Sequence, residues 1–146
     1  MPYLPDALTD LPKPEDEAPF WDNCARGRLA FQCCADCGKV IHPPLPVCPA
    51  CRSMNKGWIE APGEARVFSF TWVHVAADPS VAPSIPYNVA LIEFPELPGI
   101  RFVSNVVDGK PGDLKIGDAV HLYWDMTADG RGIPRFRKST ETSSNG

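Results

Sequence analysis

A chain of 146 residues with 44% hydrophobic side chains has room for one domain, or for a small module joined to a modest one, and enough apolar material for a real core. Its net charge of −4 contains no basic stretch, since residues 63–138 hold eight basic and nine acidic side chains. That balance argues against a nucleic-acid surface, which needs phosphate neutralisation. No run approaches the roughly 18 apolar residues of a membrane span, and the start of the chain lacks the basic and apolar regions of a secretory signal. A soluble cytoplasmic protein is therefore expected.

In chain order, residues 1–14 are Pro-rich and aperiodic and predict an extended arm. Glu15–Leu29 predicts a short helix. Acidic Glu15, Asp16 and Glu17 suit its N-terminus, Gly27 its stop, and Phe20, Trp21, Cys24 and Leu29 its apolar set. The arm and helix fill residues 1–30, and a cysteine-rich piece follows over 31–60. From Gly63 the pattern turns to strands, at Arg66–Ala76, Tyr87–Phe94, Ile100–Val107, Ala119–Asp125 and Ile133–Lys138. Turn signals such as Pro98-Gly99, Asp108-Gly109 and Asp129-Gly130 separate them. Five short strands without intervening helices predict a small antiparallel barrel of OB type over residues 61–138. The loop Ala77–Pro86 is long and proline-stiffened, and is expected to present exposed Val81 and Ile85 to a partner or substrate. The polar tail 139–146 is expected to be disordered.

Two Cys-x-x-Cys pairs, Cys34/Cys37 and Cys48/Cys51, lie ten residues apart. A two-residue gap folds the chain into a tight knuckle that offers both sulfurs to one ion, and Gly38 after Cys37 supplies the positive φ such a knuckle takes. Two knuckles make the closed tetrahedral thiolate shell of structural zinc. A reducing cytosol disfavours disulfides. Iron shares this geometry, because the Cys-x-x-Cys-Gly and Cys-Pro-x-Cys pieces are similar to those of rubredoxin. Arg52 in place of Gly after the second knuckle, and the lack of an implied redox partner, favour zinc. Cys34 rather than Cys33 completes the two-residue gap, leaving Cys33 and Cys24 as free thiols. His42, beside Pro43-Pro44, reads as an ordinary loop residue. With four protein ligands the metal organises structure and has no position for water or substrate.

Phe20-Trp21, Gly27-Arg28-Leu29, Gln32-x-Cys34-x-x-Cys37-Gly38, Pro43-Pro44, Cys48-Pro49-x-Cys51 and Trp58 occur in an order that resembles a known family. Pro86–Glu93 and Ile116–Val120 continue it, so that residues 15–138 are covered. The family comprises rubredoxin-like zinc ribbons fused to OB-folds and associated with acyl-CoA enzymes, long catalogued as a domain of unknown function. Cys33 stands where an Arg is usual, and Arg52 where Gly is common. The resemblance implies a non-catalytic accessory subunit of a thiolase-like enzyme or a hotdog-fold enoyl-CoA hydratase, helping to shape the acyl-CoA channel. A sterol side-chain aldolase is the favoured partner, in a heterotetramer around a dimeric enzyme.

The three histidines, His42, His74 and His121, lack a nucleophile motif, so catalysis by this chain alone is not expected. His74 alternates with Phe68, Phe70 and Trp72, a stripe read as a core face or protein interface rather than a base-stacking platform. Arg28, Arg52, Lys56 and Arg66 are the candidate cations for coenzyme A, with Trp58 and Tyr87 as candidate channel walls.

Overall fold

The structure, a computed structural model, describes residues 2–139. The predicted tail beyond Ser139 lies outside the described residues. The arm makes only a 3₁₀ turn, Asp6–Thr9, yet it is tied to the barrel. The Tyr3 backbone N–H donates to Asp125 Oδ2 at 3.0 Å, and the Tyr3 hydroxyl accepts from the backbone N–H and Nδ2 of Asn88. The Ala128 N–H donates to Asp6 Oδ2 at 2.8 Å. Helix α1, Ala18–Ala25, is shorter than expected. Pro19 belongs in a first turn, and Gly27, at φ 72°, closes the other end. The N–H groups of Gly27 and Arg28 bond back to the carbonyls of Cys24 and Asn23 at 3.0 and 2.9 Å, the usual stop built on a left-handed residue.

Three short strands that the pattern did not predict form the ribbon sheet. β1 (Ala30–Cys34) lies between β2 (Val40–Ile41) and β3 (Lys56–Glu60), all antiparallel. At two to five residues, and broken by Cys, Pro and Gly, they carry little periodic signal. Gln32, 2% exposed, anchors the following loop. Its amide donates to the Leu45 carbonyl at 2.8 Å and accepts from the Leu45 N–H at 2.7 Å.

The barrel strands fall close to their expected places: β4 (Ala65–Val73), β5 (Tyr87–Glu93), β6 (Arg101–Ser104), β7 (Ala119–Met126) and β8 (Gly132–Lys138). They form a curled sheet in the order β6-β5-β4-β7-β8. Closure is partial. Asn105–Val107 leaves the ladder and reaches β8 through a parallel bridge, Val106 to Phe136, with bonds from Val107 N–H to the Phe136 carbonyl and from Phe136 N–H to the Asn105 carbonyl. Two residues earlier on the same edge of β8, Pro134 has no N–H to offer, and the seam is spanned there by a side chain instead, the Ser104 hydroxyl of β6 donating to the Pro134 carbonyl at 2.8 Å. Beside it lies a cavity of about 500 Å³.

One core joins ribbon, helix and barrel: Phe20 and Cys24 of α1 and Phe31 of β1 share a cluster with Val67, Ile92, Phe102 and Phe136. Four expectations change here. A register shift between Val67 and Ser69 breaks the aromatic stripe on β4, so Phe70 and Trp72 pack toward the core while Phe68 turns outward under the Arg101 guanidinium, 4.0 Å from its ring. His74 is exposed, beyond the end of β4. Val81 is buried, not exposed, because the loop folds into a 3₁₀ turn, Pro79–Ser84, capped by Asp78; Ile85 is half-buried. His42 is no mere loop residue either. Its ring meets Phe20, Phe31 and Phe102 at 5.1 to 5.6 Å, and burial pushes its pKa down to about 4.

Candidate metal centre and its surroundings

Each Cys-x-x-Cys pair closes a tight turn of the same form. The Gly38 N–H donates to the Cys34 carbonyl and the Arg52 N–H to the Cys48 carbonyl, both at 2.9 Å. Just outside, the Cys34 N–H bonds the Lys39 carbonyl and the Cys48 N–H bonds the Ser53 carbonyl. Gly38 has φ 79° and Arg52 φ 64°, so the second knuckle takes the left-handed conformation despite its side chain. Asp36 ties the two knuckles together, accepting from the Ser53 hydroxyl and from Asn55 Nδ2. Those two donors hold its carboxyl below the usual range.

The four sulfurs lie within 4.8 Å of one another, with Cys34 to Cys51 at 3.5 Å and Cys37 to Cys48 at 3.6 Å. A tetrahedral tetrathiolate zinc site has sulfur–sulfur edges of about 3.8 Å, so these residues fit the ion. The Cys37 N–H, 3.4 Å from Cys34 Sγ, is the main cause holding the Cys34 thiol down to about 6. At Cys51 the backbone N–H of Ser53 lowers the pKa, but the neighbouring thiols outweigh it and push the group up to about 12. Thiols this close cannot all ionise without a cation among them. A bound zinc ion would hold all four as thiolates, and its work is structural, since the shell is closed. Cys33 points elsewhere, packing where a Cβ on Gly57 would come within 3.2 Å of its sulfur; Cys24 is buried beneath α1.

The candidate coenzyme cations are dispersed. Arg28 meets Glu60 at 3.5 Å, and Lys56 meets Asp16 at 2.9 Å. Arg52 and Arg66 are exposed and have no ion-pair partner among the described residues. Trp58, opposite Gln32 on β3, is half-buried against the core. Tyr87 stands at the start of β5, on the wall of the seam cavity. His121 is exposed, its Nδ1 3.4 Å from the Ser139 hydroxyl.

Sequence reasoning missed the buried polar cluster inside the barrel. Arg135 and Asp125 form an ion pair at 2.6 Å with side chains 5% and 7% exposed, and Arg135 also donates to Asn105. Asn105 in turn donates to the Asn88 carbonyl, and Asn88 Nδ2 donates to the Val106 carbonyl. Asp125 and Arg135 were legible as strand residues, but charged residues on a strand read as solvated until the closure of the sheet turns them inward.

A four-cysteine ribbon fused through a helix-covered core to a five-stranded OB-type barrel is the class that fold and site define. A family model described as ChsH2, rubredoxin-like zinc ribbon domain, matches residues 21–55, and one described as ChsH2, C-terminal OB-fold domain, matches residues 58–125. A DUF35 domain-containing scaffold protein of Methanothermobacter thermautotrophicus is 35% identical over 102 residues, 68% of this chain and 73% of that protein. The chain belongs to the DUF35 family. A probable enoyl-CoA hydratase alpha subunit of Thermomonospora curvata is 37% identical over 134 residues, 91% of this chain. The chain spans 41% of that relative's length and 63% of the DUF35 scaffold protein of Methanocaldococcus jannaschii. Among solved structures, an Ltp2-ChsH2(DUF35) aldolase chain superposes with a TM-score of 0.78 at 35% identity, covering 86% of this chain and 95% of that one. A DUF35 protein from Sulfolobus solfataricus, at 18% identity and TM-score 0.62, supports the fold alone.

Proposed function

We propose that this chain is a non-catalytic accessory subunit of an acyl-CoA-processing enzyme, with a thiolase-like aldolase as its partner. The observation that carries the reading is the likeness, over nearly the whole of that chain, to a DUF35 protein solved as an aldolase. Retro-aldol cleavage of a steroid side-chain hydroxyacyl-CoA is the reaction proposed for the complex. The partner brings the acid–base groups, and this chain steadies the assembly, cytoplasmic and heterotetrameric, and completes the acyl-CoA channel. Arg52 and Arg66, free of ion pairs among the described residues, are the stronger coenzyme contacts of the proposed set; Arg28 and Lys56 would first have to leave Glu60 and Asp16, and Trp58 is a proposed channel wall. The boundaries proposed for the units are 1–30 for arm and helix, 31–60 for the ribbon and 61–138 for the barrel.

Purification of the tagged chain from its native organism tests the reading. A co-purifying thiolase-like protein, with aldolase activity restored only by the pair, is the expected result; recovery of nucleic acid instead would sink it. The relative in Thermomonospora curvata supports a second reading, a subunit of an enoyl-CoA hydratase. A hotdog-fold partner and hydration of an enoyl-CoA would select it.

A further inference from the structure

We propose that the cavity beside the β6–β8 seam binds a small neutral ligand, an apolar chain or ring ending in one uncharged carbonyl oxygen. The inference concerns this chain alone and does not rest on the acyl-CoA reading. At about 500 Å³ the cavity falls within the roughly 300–1,000 Å³ of small-molecule sites. The arm, α1, the ribbon loop and the barrel strands build it together: Leu4, Phe20 and Trp21, Pro43-Pro44, the start of β5, and the facing edges of β6 and β8. Pro134 offers no N–H across the seam, and the Ser104 hydroxyl holds the two edges together through the Pro134 carbonyl at 2.8 Å, so this wall of the cavity is fixed by the framework.

Polar groups on the wall are few, and among the described residues Nη2 of Arg135 and the buried Nδ1 of His42 have no partner. Arg135 is 4% exposed and lines the wall. Its Nε is taken by Asp125 and its Nη1 by Asn105, while among the described residues Nη2 makes no hydrogen bond. That donor is open to solvent, so an acceptor oxygen of a ligand can take the place of water on it. Its charge is already matched by Asp125 behind the wall at 2.6 Å, and Glu17 on the wall itself would repel an anion. His42, also on the wall, is uncharged at neutral pH because burial holds its pKa near 4, so it adds no attraction for a carboxylate. A neutral carbonyl satisfies Nη2 without adding a second negative charge to a paired site.

The test uses the full-length, metal-loaded chain labelled with ¹⁵N and the probe 2-octanone. Saturable shifts are expected at the Trp21 indole N–H and the Arg135 Nε–H. Octanoate, with the same tail and an anionic head, should bind about tenfold more weakly, because its carboxylate brings a second negative charge to a guanidinium already paired with Asp125. Ile133→Trp fills the cavity from a half-buried position and should abolish the shifts while the Gly38 amide of the knuckle stays in place. If that variant does not fold, Val89→Trp fills the same space from β5. Absence of saturable shifts, equal binding of octanoate, or shifts that survive cavity filling would each overturn the proposal. Partner capture is read in a separate experiment, so the two readings fail independently.

Discussion

Arg52 holds a φ of 64° without the glycine that makes such a conformation cheap. A non-glycine residue there costs about 1–2 kcal/mol, and the metal-closed knuckle imposes it. Arg52→Gly is therefore expected to raise the unfolding free energy by about 1 kcal/mol, after the entropy that glycine adds to the unfolded chain. Denaturant titration checks this, and a matching loss of activity in the reconstituted pair would separate the side chain's role from its strain. His42 makes a second residue-scale case. Its folded pKa is near 4 and its unfolded value 6.5, so between those values the unfolded chain binds the proton first. Stability is complete above pH 6.5 and falls as pH drops toward 4, by about 3 kcal/mol at the most. His42→Phe keeps a ring against Phe20, Phe31 and Phe102 and should flatten that part of the profile. An unchanged pH dependence relative to wild type would show that His42 is not its source.

At the scale of elements, the N-terminal arm contributes more than its composition promises. It carries one 3₁₀ turn, but the Tyr3 hydroxyl accepts from two donors of Asn88, a residue 0% exposed. Tyr3→Phe keeps the ring, 5.6 Å from the Arg135 guanidinium, and strands those donors. The expected loss is about 1–3 kcal/mol, the cost of an unsatisfied buried group. A midpoint equal to wild type in urea would mean that the arm is merely laid along the barrel. The same contrast between composition and contact explains the loop before β5. Its prolines promised a stiff, exposed element, but Val81 at 5% exposure is a core residue, so deleting Val81–Ser84 would test packing rather than partner binding.

For the whole molecule, the decisive feature is that the ribbon has almost no core of its own. Cys34, Ile41 and Cys48 form a separate buried cluster, while Phe31 of β1 belongs to the barrel's. Metal therefore supports the shared core as well as the knuckles. One zinc per chain is expected by elemental analysis, lost in Cys34→Ser and retained in Cys33→Ser. Chelation should lower the single thermal transition seen by the barrel's Trp124. A barrel melt unmoved by chelation would show that the ribbon is an independent appendage.

The metal ligands were legible because a tetrathiolate site is written locally: two residues between sulfurs, a residue that can turn after each knuckle, and few ways to read the pattern otherwise. The five barrel strands were legible for the same reason, as β-branched and aromatic runs bounded by turns. What the chain order could not show depends on which surfaces meet. The bulge that turns Phe68 outward, the burial of Val81, the aromatic setting of His42 and the inward Arg135–Asp125 pair all arise from closure of the sheet over α1 and the ribbon. Spacing sets the chemistry that neighbours in sequence can perform, and only packing decides which distant groups lose their water, because desolvation is a property of the assembled surfaces and not of any segment.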